Sequence, residues 1–129
     1  MKFFFDNNLS PKIVRALKEL SQGHSFSHLR DDNPVSTPDE QWFDRLAREG
    51  GWIVISRDLF REPTAREAWK KSGLTVFLLA SGWGNLGFWE QAWKLVRWWP
   101  QILAEAQRVQ PGVCYEVPVK SLKFRIFKP

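Results

Sequence analysis

Four carboxylates stand where a parallel α/β chain would converge them. Asp6 closes the apolar run Phe3-Phe4-Phe5, and Asp58 follows the run Trp52-Ile53-Val54-Ile55-Ser56-Arg57. Asp39 and Glu40 come directly after Pro38, at the start of a helical pattern. Clustered carboxylates repel one another and raise each other's pKa unless a cation neutralises them. An all-oxygen ligand set with few nitrogen donors selects a hard ion, so Mg2+ or Mn2+ is the expected guest of Asp6, Asp39, Glu40 and Asp58. Such an ion polarises a phosphoryl group and lowers the pKa of a bound water. Asn7, Asn8 and Ser56 are placed to hold waters or ligands around it. Arg57, Arg61 and Arg66 flank Asp58 and suit a phosphodiester backbone. Taken singly, Asp39 and Glu40 are also what the first turn of any helix prefers, and an aspartate after a strand can simply cap a turn.

The elements that must position these groups follow from hydrophobic pattern and punctuation. Lys2–Phe5 and Trp52–Ser56 are short, almost continuously apolar runs, the mark of strands buried on both faces. Ser10 as N-cap and Pro11 at the first position open a helix whose apolar face is Ile13, Val14, Leu17 and Leu20, and Gly23 ends it. His24-Ser25-Phe26-Ser27-His28-Leu29 alternates as a strand. With no third ligand near, its two histidines suit a half-exposed strand face better than a metal site. A polar loop is expected over 30–36. Thr37, Pro38 and Glu40 spell a capping box for a helix with Trp42, Phe43, Leu46 and Ala47 on its apolar face, stopped at Gly50-Gly51. A further helix is expected over 62–71, then a buried strand over 74–79 and a flexible loop at Ser81-Gly82-Trp83-Gly84-Asn85. A long aromatic helix follows over 87–109, in which Pro100 should kink or split the rod. Strands are expected over 113–117 and 122–127. The alternation predicts a mainly parallel sheet with right-handed crossovers. Helix N-termini then lie at the carboxyl edge of the preceding strands, so all four acids can meet on one edge.

At 129 residues and 43% hydrophobic, the chain suits one domain with its own core. A net charge of +5 and a pI near 9.7 are compatible with a polyanionic partner. Four basic residues and no acid run from Lys120 to Lys128, either to protect an edge strand or to follow phosphates. The eight tryptophans are numerous enough to leave aromatic surface for a partner. The single cysteine, Cys114, makes no internal disulfide and excludes a cysteine zinc cluster. No apolar run approaches the ~20 residues that cross a bilayer, and Asp6 interrupts the only early apolar stretch, so a cytoplasmic protein without a membrane partner is expected.

Phe4-Phe5-Asp6-Asn7-Asn8-Leu9-Ser10 resembles the opening motif of PIN-like domains related to VapC toxins. Pro38-Asp39-Glu40 with Trp42-Phe43 and Ala47 resembles their second motif, and Ile53-Val54-Ile55-Ser56-Arg57-Asp58 their third. The likeness spans about residues 2 to 80. It implies a three-layer α/β/α sandwich over a single domain, residues 1–129, and endoribonuclease activity dependent on Mg2+ or Mn2+. By position it makes Asp6 and Asp58 metal ligands and catalytic residues, with Asp39 as the middle acid and Glu40 as the alternative. It also implies RNA as substrate, a toxin–antitoxin setting with an antitoxin partner, and a homodimer. The loop at 81–85, where fuller relatives carry a fourth acid, has none; Ser81 or Asn85 would have to serve through water. Two other readings compete. One is a PIN-like scaffold that binds RNA or protein without turnover, and the other is a flavodoxin-like phosphotransfer domain, which lacks an acid beside Asp6 and a lysine after the late strand.

Overall fold

The computed structural model describes residues 1–32, 37–57, 60, 62–108 and 112–128. Along the chain run β1 (Lys2–Phe5), α1 (Pro11–Leu20), β2 (Ser25–His28), a one-turn α2 (Leu29–Asp32), α3 (Asp39–Glu49), β3 (Trp52–Arg57), α4 (Pro63–Ser72) and β4 (Thr75–Leu79). A 3-10 turn (Ser81–Asn85), α5 (Phe88–Arg108), β5 (Cys114–Val117) and β6 (Arg125–Ile126) complete it. The six strands form one sheet in the order β2-β1-β3-β4-β5-β6. All pairs are parallel except the last, β5 with β6.

Side chains alternate across the strands, so each strand feeds two cores. Phe3, Phe5, Ile53, Ile55, Phe77 and Leu79 face one side, under α1 and α5. Phe4, Val54, Val76 and Leu78 face the other, with Trp42, Phe43 and Leu46 of α3 and Trp69 of α4. The central strands β1, β3 and β4 are therefore almost continuously apolar because both faces are covered, the three-layer arrangement expected.

Several local expectations are revised. The α1 start forms as anticipated, Ser10 Oγ accepting from Lys12 N–H at 3.2 Å. The capping box before α3 does not form: Pro38 takes the cap position without a side-chain hydrogen bond, and the helix begins at Asp39. Asp39 instead accepts from Trp42 Nε1 at 3.1 Å, an i to i+3 bond that its place on the first turn allows. The expected loop over 30–36 starts inside α2. The segment 81–85 is not an open loop but a 3-10 turn wrapped on Trp83, which is fully buried and donates Nε1–H to Val117 O at 3.0 Å. α5 runs unbroken through Pro100. Pro100 lies on the solvent side with Val96, where water can satisfy the carbonyl that the missing N–H leaves free. The last strand shrinks to Arg125–Ile126, because Phe124 turns into one core and Phe127 stacks on Phe60 toward the other.

Candidate active site

Strand order reverses at β1: the chain first steps outward to β2, then returns to place β3 on the opposite side. In open parallel sheets such a reversal leaves a crevice beyond the carboxyl ends of the two strands, where ligands bind. Asp6 stands at that point. Its backbone N–H donates to Ile55 O at 3.1 Å, continuing the β1–β3 ladder one step past the strand. The side chain is nearly buried and held at both oxygens: Ser56 Oγ donates to Oδ2 at 2.8 Å, and Asn7 N–H donates to Oδ1 at 2.6 Å. Burial pushes the Asp6 pKa up, and these two hydrogen bonds pull against the rise.

Asp39 enters from the first turn of α3. Its pKa is pushed up from 3.8 to about 6, first by burial and then by the charge of Asp6. The Trp42 hydrogen bond opposes the rise. Asp6 and Asp39, 33 positions apart in the chain, thus lie within electrostatic reach of each other, one just past the end of β1 and the other at the start of α3. Glu40, one residue on, is exposed and lines the groove between α3 and α4 with Asp44, Pro63, Thr64 and Glu67. Asp58 and Arg61 lie outside the described residues.

The two asparagines have different work from that expected. Asn8 is a backbone clamp: its Nδ2 donates to Arg57 O, and its Oδ1 accepts from Arg57 N–H at 3.3 Å. One side-chain amide thereby mimics a strand partner for the end of β3, immediately before Asp58. Asn7 Oδ1 accepts from Arg30 Nε at 2.7 Å. Ser56, fully buried, is the direct support of Asp6. Arg57 is half-buried beneath the 3-10 turn, where a Cβ at Gly84 would come within 3.4 Å of its Nη1, and its Nε has no partner among the described residues. Arg66 is exposed and donates Nε–H to Phe60 O at 3.0 Å. Phe60 has a φ of 73°, strained for a bulky side chain. Arg66 therefore braces the segment after Asp58 with one of its nitrogens.

Arg30 at this edge escaped sequence reasoning, and His28, expected on a half-exposed strand face, is instead buried. Arg30, on α2, brings a guanidinium to Asn7; the available signal was its place just after a strand end, as with Arg57. His28 is buried at the end of β2. Arg30 N–H donates to its Nδ1 at 3.1 Å, so the Nε2 facing Leu9 O at 2.6 Å carries the ring proton. The His24–Phe26–His28 strand is structural: His24 Nδ1 meets the chain's amino terminus at 2.9 Å.

Among the described residues no group of three or more His, Cys, Asp or Glu is arranged to hold a metal ion. The oxygens of Asp6 and Asp39 nevertheless keep acceptor directions open. Each carboxylate oxygen has two acceptor directions, so Asp6 keeps one free on each oxygen after its hydrogen bonds. Asp39 is bonded by Trp42 through Oδ1 only. Two neighbouring acids held above their ordinary pKa are relieved by a cation.

A mostly parallel α/β sheet with an aspartate at its topological reversal defines the class of open α/β folds that bind ligands beyond the carboxyl ends of their strands. Within that class, a family model described as PIN like domain matches residues 1–81, and the chain belongs to this family. The matched region runs from β1 into the 3-10 turn, containing Asp6, Asp39 and the position of Asp58 and ending before α5. PIN-like domains are a family of nucleases, and PIN domains typically use divalent metals. No curated protein and no solved structure matches the chain. No described helix is long and apolar enough to cross a membrane.

Proposed function

We propose that the protein is a metal-dependent endoribonuclease that hydrolyses RNA phosphodiesters at the Asp6–Asp39 edge. What supports this reading is the matched family together with Asp6 at the sheet's topological reversal, held at both carboxylate oxygens, and Asp39 opening α3 within reach of its charge. Asp6, Asp39 and Asp58 would hold Mg2+ or Mn2+, with Glu40 the nearest alternative to Asp39 in sequence. When bound, the ion would supply charge for the phosphoryl oxygens and a water of lowered pKa. The chain's own part is positional. Ser56 and the Asn7 amide fix the Asp6 carboxylate, Trp42 fixes Asp39, and Asn8 fixes the end of β3. Arg57 and Arg30 bring cationic groups to the same edge for the RNA backbone, with Arg61 and Arg66 beyond. A toxin role restrained by an antitoxin, and a homodimeric state, belong to this reading as proposals.

The test is cleavage of single-stranded RNA by the full chain with Mn2+. Asp6→Asn and Asp39→Asn, checked for folding by circular dichroism, should each lose activity by at least about a hundredfold. Equal cleavage in chelator, or by the double variant, sinks the proposal. A second reading has one observation behind it: the 81–85 turn brings a buried Trp83 and no acid to the edge. On that reading the protein binds RNA without turnover, and salt-sensitive binding with no cleavage in any divalent ion would select it.

A further inference from the structure

α5 has more apolar surface than its place in the fold uses. Leu95, Trp98, Trp99 and Ile102 fill the core beneath it. Yet Trp89 is 80% exposed and Trp93 49% exposed, and Val96 and Pro100 continue the same solvent-facing row. A helix apolar on both sides has a second surface to cover. Since the core already has its complement from the opposite face, Trp89 and Trp93 have no packing role that explains them.

We propose that Trp89 and Trp93 form a stacking subsite for nucleobases of the RNA strand flanking the cleavage edge. This rests on the nuclease reading above and adds to it a path for the strand. Three features select this occupant. The first is position: α5 starts just after the 3-10 turn at the carboxyl end of β4, the edge that carries Asp6. The link is physical, because Ser56 bonds Asp6, Arg57 follows Ser56, and the Arg57 guanidinium lies against Gly84 of that turn. The second is spacing. Trp89 and Trp93 are four residues apart, so their rings follow one another by about 6 Å along the helix, and sequence-tolerant stacking on successive aromatic faces is how single strands are held. The third is charge. Lys94 Nζ lies 4.8 Å from the Trp93 ring centroid, and Arg97 is exposed one turn on. Neither is in an ion pair among the described residues. A cation over one face of Trp93, with the indole of Trp89 exposed beside it, suits a ligand that is flat and anionic together, which a purely apolar protein surface is not.

The experiment uses the full chain with Asp6→Asn, to measure binding without turnover. The probe is a fluorescein-labelled single-stranded RNA of about 12 nucleotides, followed by anisotropy at low salt. Adding Trp89→Ala and Trp93→Ala should weaken binding roughly tenfold or more for each tryptophan, while Trp93→Phe should retain most of the affinity. Both positions are exposed, so the variants should keep the parent's circular dichroism and melting temperature. Unchanged RNA affinity in the double variant overturns the stacking subsite and leaves the nuclease reading standing. Tryptophan-dependent binding by a wild-type chain that never cleaves does the reverse. If light scattering finds a dimer that the double variant dissolves, with RNA affinity intact, the stripe is an interface between copies and the proposal is overturned.

Discussion

Replacing Asp39 with asparagine should stabilise the protein at neutral pH while abolishing its chemistry. The folded state holds the Asp39 proton up to about pH 6, against an ordinary 3.8. Between those values the folded chain binds more protons than the unfolded one, so stability falls as pH rises through the window. Below it the penalty is absent, and above about pH 6 it is complete. A shift of about two pH units is worth about 3 kcal/mol at about 1.4 kcal/mol per unit. Asp39 is only partly buried, so solvent screening reduces this, and about 1–2 kcal/mol is the expected gain. Asparagine keeps an oxygen to accept from Trp42 Nε1, so the existing hydrogen bond does not have to be lost. For a chain of this size the melting temperature should rise by roughly 4–8 °C. Tryptophan-fluorescence melts in chelator, at about pH 7.5 and about pH 4, measure it directly. Asp39→Asn should exceed wild type at the higher pH and match it at the lower. Added Mn2+ should raise the wild-type melting temperature and leave the variant's unchanged. A variant less stable than wild type at neutral pH, or equally stabilised at both, would refute the assignment of Asp39 as a strained, Asp6-coupled acid.

Asn8→Ala removes the side-chain amide that satisfies both backbone groups of Arg57. It should cost about 1–3 kcal/mol in urea unfolding and lower RNA cleavage, although Asn8 itself bears no charge; unaltered stability would mean that water replaces the clamp. Ser56→Ala deprives buried Asp6 of a hydrogen bond that lowers its pKa. Asp6 would then titrate at higher pH than in the wild type, so the acid limb of the cleavage-versus-pH profile, measured with metal present, should move upward. An unmoved limb alongside reduced activity would assign Ser56 to another role.

The strand runs were legible because a sheet covered on both faces demands apolar residues at every position. Phe3–Phe5 and Ile53–Ile55 satisfy that demand with no competing pattern. The placing of Asp6 and Asp39 toward one edge was legible for a topological reason: a helix returning from one parallel strand to the next must start at the carboxyl edge. Asn8 was not, because a clamp on Arg57 depends on β1 and β3 being neighbours in register, which no local pattern encodes. The capping box failed for a related reason. Thr37, Pro38 and Glu40 satisfy the local rule, but Pro38 occupies the cap position and Asp39 bonds Trp42, whose ring is buried against Phe4. Trp83 likewise read as part of an open glycine-rich loop, because its partner, Val117 O, lies 34 residues away.

The hydrogen bonds around Asp6 and Asp39 bear on how the edge works. Two like charges will not stay adjacent and desolvated unless the surroundings hold them, since each can relieve the repulsion by swinging into water or taking a proton. Here Asp6 is fastened at both oxygens, and Asp39 is fastened at one by a tryptophan that is itself locked in the core. The strand that delivers Ser56 is in turn fastened by Asn8. Burial raises both pKa values, and the charge of Asp6 adds to the rise at Asp39. On the proposed reading a divalent cation would relieve the charge instead, and the same fastening would pre-arrange the pair for the ion. The stability gained by Asp39→Asn and the metal response lost with it should therefore have a single origin. A substitution that removes one without the other would separate the charge coupling from the binding site.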